Sequence, residues 1–288
     1  MKNTKDKIFN VIFLISAILS ISLIFIICFF IFKTGISFVN KYGLIKFITG
    51  TDWSPSNSPQ SFGILPMIVG SIIVTVLSIL FSFPFGICLA VYIAYYAGKK
   101  EKILTDIVNL MAGIPSVVYG FFAMMVIVPI ISKIPSADSG MNILSASILL
   151  SIMILPTIVD ISSSSLKALP QYFYTASLAL GATKEETIFK IMLPAAKAGI
   201  FSAVILGLGR SIGETMAVYL VIGNQARMPS SILDGVRTMT TNIVLEMGYA
   251  TGIHREALIA TGMVLFVFIL IINILFNIIR NKSEEKMK

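Results

Sequence analysis

Six apolar runs constrain this 288-residue chain more than any other feature: residues 8–32, 64–97, 107–131, 143–161, 199–223 and 257–279. Each reaches or approaches the roughly 20 residues that cross about 30 Å of hydrocarbon as α-helix. Lipid offers no hydrogen-bond partners to a backbone, so helix is the form these runs must take. The sequence therefore predicts an all-α polytopic membrane protein with six transmembrane helices, forming a single transmembrane domain over residues 1–288. Charged residues make up only 12% of the chain, about half the usual share in a soluble domain. The first run is 25 residues long. It exceeds the roughly 7–15-residue apolar core of a secretory signal and lacks a small-x-small cleavage pattern, so it reads as a retained span.

Lys and Arg set the orientation. Alternate loops divide them 14 to 7. The richer side carries Lys2, Lys5 and Lys7, then Lys99, Lys100 and Lys102, the four lysines of 162–197, and Arg280, Lys282, Lys286 and Lys288. Both termini are therefore expected in the cytoplasm of a multi-pass plasma (inner) membrane protein. Topology and anionic membrane lipid account for the net charge of +8, so no nucleic-acid partner is expected.

The outer loop 33–63 holds the only tryptophan, Trp53, in a Pro/Ser-rich stretch that favours turns over a packed unit. Trp53 is expected to anchor at the membrane interface. Cys28 and Cys88 fall within spans and read as small buried apolar residues. His254, the lone histidine, reads as surface or interfacial, with no second ligand for a metal. The second run is too long for one straight crossing, and Pro66 and Pro84 imply a tilt, a kink or a short leading helix. The third contains Gly113-Ile114-Pro115-Ser116.

The segment 162–197 is the longest stretch on the charged side, polar yet helical in period. Pro170 can start a helix, Ala176, Ala179 and Leu180 form a stripe, and Gly181 allows a bend. A second helix, Lys184 to Lys190, is expected to stop before Pro194. Such a pair makes a knob beneath the membrane, or an amphipathic loop lying on headgroups.

Arg210 and Glu214 stand inside the fifth run. A charge in hydrocarbon costs at least about 2.5–3.5 kcal/mol and marks a function or a pairing. At about 1.5 Å per residue from Gly199, Arg210 lies some 16 Å in, and Glu214 follows one turn later on the same face. Gly207, Gly209 and Gly213 clear space, and the Gly209/Gly213 pair permits close approach of another helix. Two readings follow: an internal ion pair that packs helices, or an anion path. In the second, the guanidinium takes the anion, Glu214 orients it, and Ser116, Ser211 and Thr215 add donors. Asp160, near the end of the fourth run, reads as a cap or interfacial residue.

Enzyme motifs are weak. Ser164-Ser165-Leu166-Lys167 and Lys33-Thr34-Gly35 fall on opposite sides of the membrane, in the wrong order for a penicillin-binding enzyme. No P-loop and no metal-ligand cluster occur in the sequence.

The Ala176-x-x-x-x-Gly181 pattern, nine residues, then Ile191-x-Leu193-Pro194 resembles the coupling loop of ABC importer permeases. The usual Glu-Ala-Ala opening is here Thr175-Ala176-Ser177. Ala112-Gly113-Ile114-Pro115-Ser116-Val117-Val118-Tyr119-Gly120 resembles the third-span signature of phosphate-specific permeases. Leu206-Gly207-Leu208-Gly209-Arg210-Ser211-Ile212-Gly213-Glu214-Thr215-Met216-Ala217-Val218 is similar to the fifth span of PstC-type rather than PstA-type subunits. Tyr95 and Ser162–Ser165 depart from the pattern where acidic residues are common.

The resemblance implies type I permease architecture and a phosphate importer. Its partners would be a PstA-like permease, a PstB-like ATPase dimer and a PstS-like phosphate-binding protein. ATP and Mg would be bound by the ATPase, leaving no cofactor or metal in this chain and no catalytic residue. Without the family's Glu, docking would rest on apolar contact and on Lys184, Glu185 and Glu186. Permeases for sulfate or molybdate, an ATP-independent carrier and an intramembrane enzyme are the rival readings.

Overall fold

The computed structural model describes residues 4–137 and 139–285, with side-chain environments from residue 8 to residue 278. Lys2, Lys286 and Lys288 of the charge count lie outside the described residues. The elements in order are α1 (Thr4–Tyr42), α2 (Leu44–Thr49), a hairpin of β1 (Trp53–Ser54) and β2 (Ser61–Phe62), α3 (Leu65–Tyr95), α4 (Glu101–Gly113) and α5 (Ser116–Ile131). They continue as α6 (Ile143–Lys167), α7 (Gln171–Ala179), α8 (Lys184–Thr187), α9 (Leu193–Ala195), α10 (Lys197–Gly213), α11 (Met216–Val221), α12 (Met239–Met247) and α13 (Gly252–Glu285).

Four helices, α1, α3, α6 and α13, are long and apolar enough to cross a membrane, and two bent pairs bring the total to six if each is one span. The first bent pair corrects the expected span 107–131. Pro115 drives Ile114 to extended backbone (ψ 129°), and the chain turns by 93° between α4 and α5. Only the 16 residues of α5, about 24 Å of helix, continue into the bundle. The second correction falls on 199–223. There α10 stops at Gly213, Glu214 is extended (ψ 131°), and the short α11 begins at Met216. By contrast α3 runs 31 residues without a break through Pro84, so no separate leading helix forms.

The helix α6 is the hub of the bundle. Of its most apolar stretch 67% is buried, whereas none of the corresponding stretch of α1 is. Asn142 caps α6 by accepting from Ser145 N–H at 3.0 Å. Against it packs α3, so closely at Gly86 that an added Cβ would come within 2.7 Å of Ile158. A second close approach joins α5 to α11, where a Cβ at Gly120 would meet the Ala217 backbone at 2.9 Å. Neither contact tolerates a larger residue without a shift of the helices.

The outer loop departs from expectation. Its first part extends α1 to Tyr42, and the rest packs rather than merely turning. Phe38, Phe47, Trp53, Phe62, Ile64 and Met67 form one buried cluster, and fully burying an aromatic or aliphatic side chain of this size contributes about 1.5–3 kcal/mol. Trp53 is 7% exposed. It is a core residue, with its indole N–H donating to Glu246 at 2.9 Å. His254 also leaves the surface, reaching the same carboxylate at 2.7 Å. Cys88 is exposed and Cys28 half-buried. They are not core residues: α13 covers Cys28 only in part, and this chain leaves the Cys88 face of α3 open.

Candidate functional site

Arg210 lies in the last turn of α10. There the negative end of the helix dipole offsets part of the cost of placing a cation among apolar residues. It is exposed. Its guanidinium reaches Thr157 Oγ1 of α6 at 3.5 Å, beyond the usual range for a strong bond. Among the described residues no carboxylate makes an ion pair with it within 4.0 Å. Around it the chain is open: nothing lies within 4 Å of a Cβ built at Gly209 or Gly213, and Leu206 is 56% exposed. The expected helix against that glycine pair is not supplied by this chain.

Glu214 does not pair with Arg210. Because α10 ends at Gly213, the spacing of four residues no longer means a shared helix face. The carboxylate turns instead to the start of α11, accepting from Thr215 N–H (3.1 Å) and Ala217 N–H (3.2 Å), where a negative charge is favoured. The other candidate donors also part company. Ser211 is buried and shares a 2.9 Å hydrogen bond with Ser78 of α3. Thr215 Oγ1 donates to the Gly213 carbonyl at 3.1 Å. Ser116 opens α5, half-buried, and its hydroxyl has no hydrogen bond among the described residues. Ser211 and Glu214 line a small cavity with Ser71, Thr75, Thr238 and Thr240, and Arg210 is not among its walls.

One neighbour of Arg210 escaped sequence reasoning: Thr157 contacts it across 53 residues of chain, and no periodicity links the two. Tyr119, one turn beyond Ser116, is buried and donates to the Met111 carbonyl at 2.9 Å, which ties α5 back to α4.

The segment 162–197 folds as a two-helix knob. Pro170 precedes α7, as its fixed φ favours. Gly181 sits at φ +86°, a backbone that glycine adopts without a Cβ clash. Thr183 and Glu186 form a reciprocal capping box at α8. The Thr183 N–H, with Lys190 second, holds the exposed Glu186 carboxyl below its usual carboxylate range. The second helix does not stop before Pro194. It widens into a π turn over Ile188–Met192, which accommodates the proline's missing N–H and its bulk, and Pro194 stands second in α9, in its first turn.

A buried Ser177–Thr187 hydroxyl pair at 2.8 Å clamps α7 to α8. Ile188 packs with Val91 of α3 and Leu166 of α6, and Leu193 packs partly against them. The knob is thus seated on the ends of two long helices and has buried contacts of its own. Its outward surface carries Thr175, Ala176, Gly181 and Pro194, all exposed, while Ile191 is half-buried. Leu180 (89% exposed), Tyr172 (62%) and Phe189 (61%) dominate that surface, and of these the sequence pattern indicated only Leu180. Lys184 turns back to donate to the Tyr95 carbonyl at 2.8 Å, whereas Glu185 stays exposed and accepts a long 3.4 Å hydrogen bond from Tyr96 O–H.

Residues 82–285 match the family described as the binding-protein-dependent transport system inner membrane component. The chain belongs to this family. Permeases of this family are transport subunits of ABC importers, sit in the inner membrane and work with an ATPase and a substrate-binding protein. The chain is 42% identical over 244 residues to the probable ABC transporter permease protein YqgH of Bacillus subtilis, covering 82% of this chain and 79% of that one. It is 33% identical over 267 residues to the probable phosphate transport system permease protein PstC of Methanocaldococcus jannaschii, covering 85% and 84%. Among solved structures, a bacterial alginate ABC transporter superposes with a TM-score of 0.63 at 18% identity, covering 97% of this chain and 99% of that one. An inward-facing MetNI methionine transporter gives 0.58 at 18%, covering 77% and 94%. These establish the permease fold.

Proposed function

We propose that this permease forms half of the translocation path of an ATP-driven phosphate importer, with both termini and the knob in the cytoplasm. The observation that carries an anion path is Arg210: a guanidinium within an apolar run, on a face the chain leaves open, with no carboxylate in ion-pair distance among the described residues. Such groups face a bundle interior or a watery cavity, not lipid. A second permease, PstA-like, would complete that cavity across the open face of α10. The substrate assignment draws on the relatives named as phosphate permeases, which include chains of Mesorhizobium japonicum at 29% identity and Methanocaldococcus jannaschii at 33%.

In this reading a PstS-like protein delivers phosphate at the hairpin end. Arg210 offers it planar, paired donors, with Thr157 of α6 within reach of the guanidinium. A PstB-like ATPase dimer, which binds ATP and Mg, engages Leu180, Tyr172 and Phe189 and drives the helices between two arrangements. This chain hydrolyses nothing; it transmits.

The test is uptake of labelled phosphate at low micromolar concentration in cells with and without this gene. Uptake that is lost on deletion, and that sulfate and molybdate competitors leave unaffected in cells with the gene, is expected. Unchanged uptake where no second phosphate importer exists would transfer the chain to another oxyanion.

Gly181→Pro tests the knob. Proline fixes φ near −65° and has no N–H, whereas Gly181 needs φ +86° and donates to the Leu178 carbonyl at 3.0 Å. ATP-driven uptake is expected to fall by about tenfold or more, with the spans still assembled, because proline can neither adopt that φ nor donate that bond, so the turn that sets α7 against α8 is lost. Wild-type uptake by this variant would refute the docking assignment.

A further inference from the structure

The cytoplasmic end of α3 is where the knob is tied to the bundle, and the tie is polar. Tyr95, its last residue, has a carbonyl with no helical partner ahead of it, as at any helix end. Lys184 Nζ donates to that carbonyl at 2.8 Å and lies 4.0 Å from the centroid of the Tyr96 ring. One cation thus satisfies an orphan acceptor, meets the negative end of the α3 dipole and makes a cation–π contact. The next residue repeats the connection in reverse, with Tyr96 O–H donating to Glu185 at 3.4 Å. Tyr95 also stacks on Tyr174 of α7 at 5.8 Å and donates its phenol to the Leu166 carbonyl of α6 at 3.3 Å.

The far half of α3 reaches both the polar cavity and the loop after α11. Ser78 bonds Ser211 of α10. Ser71 Oγ accepts from Met239 N–H at 3.0 Å, and a Cβ at Gly70 would lie 2.8 Å from the Arg237 carbonyl. A 31-residue helix is about 46 Å of nearly rigid rod. The apolar contacts around Ile188 can slide along such a rod. A charged donor fixed to its terminal carbonyl resists displacement along the axis.

We infer that Lys184 is a positioning residue for transport: the latch through which displacement of the knob is passed to α3, and along α3 to Ser211 and the Arg237–Met239 loop. This rests on the ABC permease reading above. It gives the lysine of the patterned loop a partner within its own chain, at Tyr95, where this sequence departs from the family's common acidic residue.

The experiment uses the intact chain reconstituted with its permease partner, ATPase and binding protein in liposomes, and reads phosphate moved per ATP hydrolysed. Lys184→Met keeps length and apolar bulk but removes the donor. The ratio is expected to fall about tenfold, as loss of one charge-assisted bond and one cation–π contact implies, with the ATPase still co-purifying as in the wild type. Lys184→Arg, which both donates and stacks, is expected to restore it, and Tyr96→Ala to lower it in part. A Lys184→Met ratio within about twofold of wild type would overturn the latch, since a lost charge-assisted bond is worth more than that. So would loss of the ATPase from Lys184→Met alone, which would make Lys184 a docking residue. A wild-type complex with no ATP-driven phosphate uptake would overturn the transport reading itself, and the latch with it.

Discussion

Arg210→Ala is expected to abolish phosphate uptake, lowering it by on the order of 100-fold, while the chain still assembles with its ATPase. The magnitude follows from removing two charge-assisted donors of one fork from a low-dielectric path. Assembly is expected to survive because Arg210 is exposed, and among the described residues its side chain makes one hydrogen bond, the 3.5 Å approach to Thr157. Arg210→Lys should recover only part of the rate, since an ammonium keeps the charge and loses the planar geometry. Uptake in vesicles and co-purification from the same preparation separate the two effects. Near-wild-type uptake in Arg210→Ala would end the anion-path proposal.

Glu246→Ala is expected to cause the largest loss of stability. This carboxylate, 5% exposed as a residue, accepts from Arg237 at 2.6 Å, His254 at 2.7 Å and Trp53 at 2.9 Å. It joins the β-hairpin, the loop before α12, α12 itself and α13. Removing it strands the Arg237 guanidinium, 11% exposed, with only Asn242 and the Asn224 carbonyl as acceptors. Breaking a buried pair by deleting one partner costs about 3–5 kcal/mol. For a chain of this size that corresponds to a fall of roughly 10 °C in the unfolding midpoint. Glu246→Gln, which retains one acceptor, should lose less. Thermal unfolding in detergent measures both, and an unchanged midpoint in Glu246→Ala would show that the network contributes nothing to holding the hairpin.

The sites reached through local signals were legible in the sequence. Run length located the long helices because burial in lipid imposes the same demand on every residue of a span. Pro170 and Gly181 marked the knob because each restricts or frees its own φ regardless of context. Arg210 was conspicuous because a charge among apolar residues is costly wherever the rest of the chain goes.

Glu214 was misplaced for a definable reason. Spacing by four residues implies a shared face only while the helix continues, and the backbone leaves helix at Glu214 itself. Lys184 was assigned outward because a lysine in a polar loop ordinarily faces water; its acceptor, the Tyr95 carbonyl, lies 89 residues earlier. Trp53 and Glu246 are 193 residues apart, so the indole was placed at the interface and its true partner was invisible.

The sequence by itself thus determined that this is a helical membrane protein of the binding-protein-dependent permease family, where its spans lie approximately, and which residue carries an unavoidable intramembrane charge. The family rests on the resemblance of its motifs; the spans and the charge follow from chemistry local to a residue or its near neighbours. Only the tertiary structure decided that Arg210 has no carboxylate partner among the described residues, that Glu214 caps α11, that the outer segment is a packed hairpin and that Lys184 is tied to α3. Those outcomes depend on where helices end and which ends meet, set by close approaches such as Gly86 on Ile158 and Gly120 on Ala217, and one-dimensional periodicity carries no record of them.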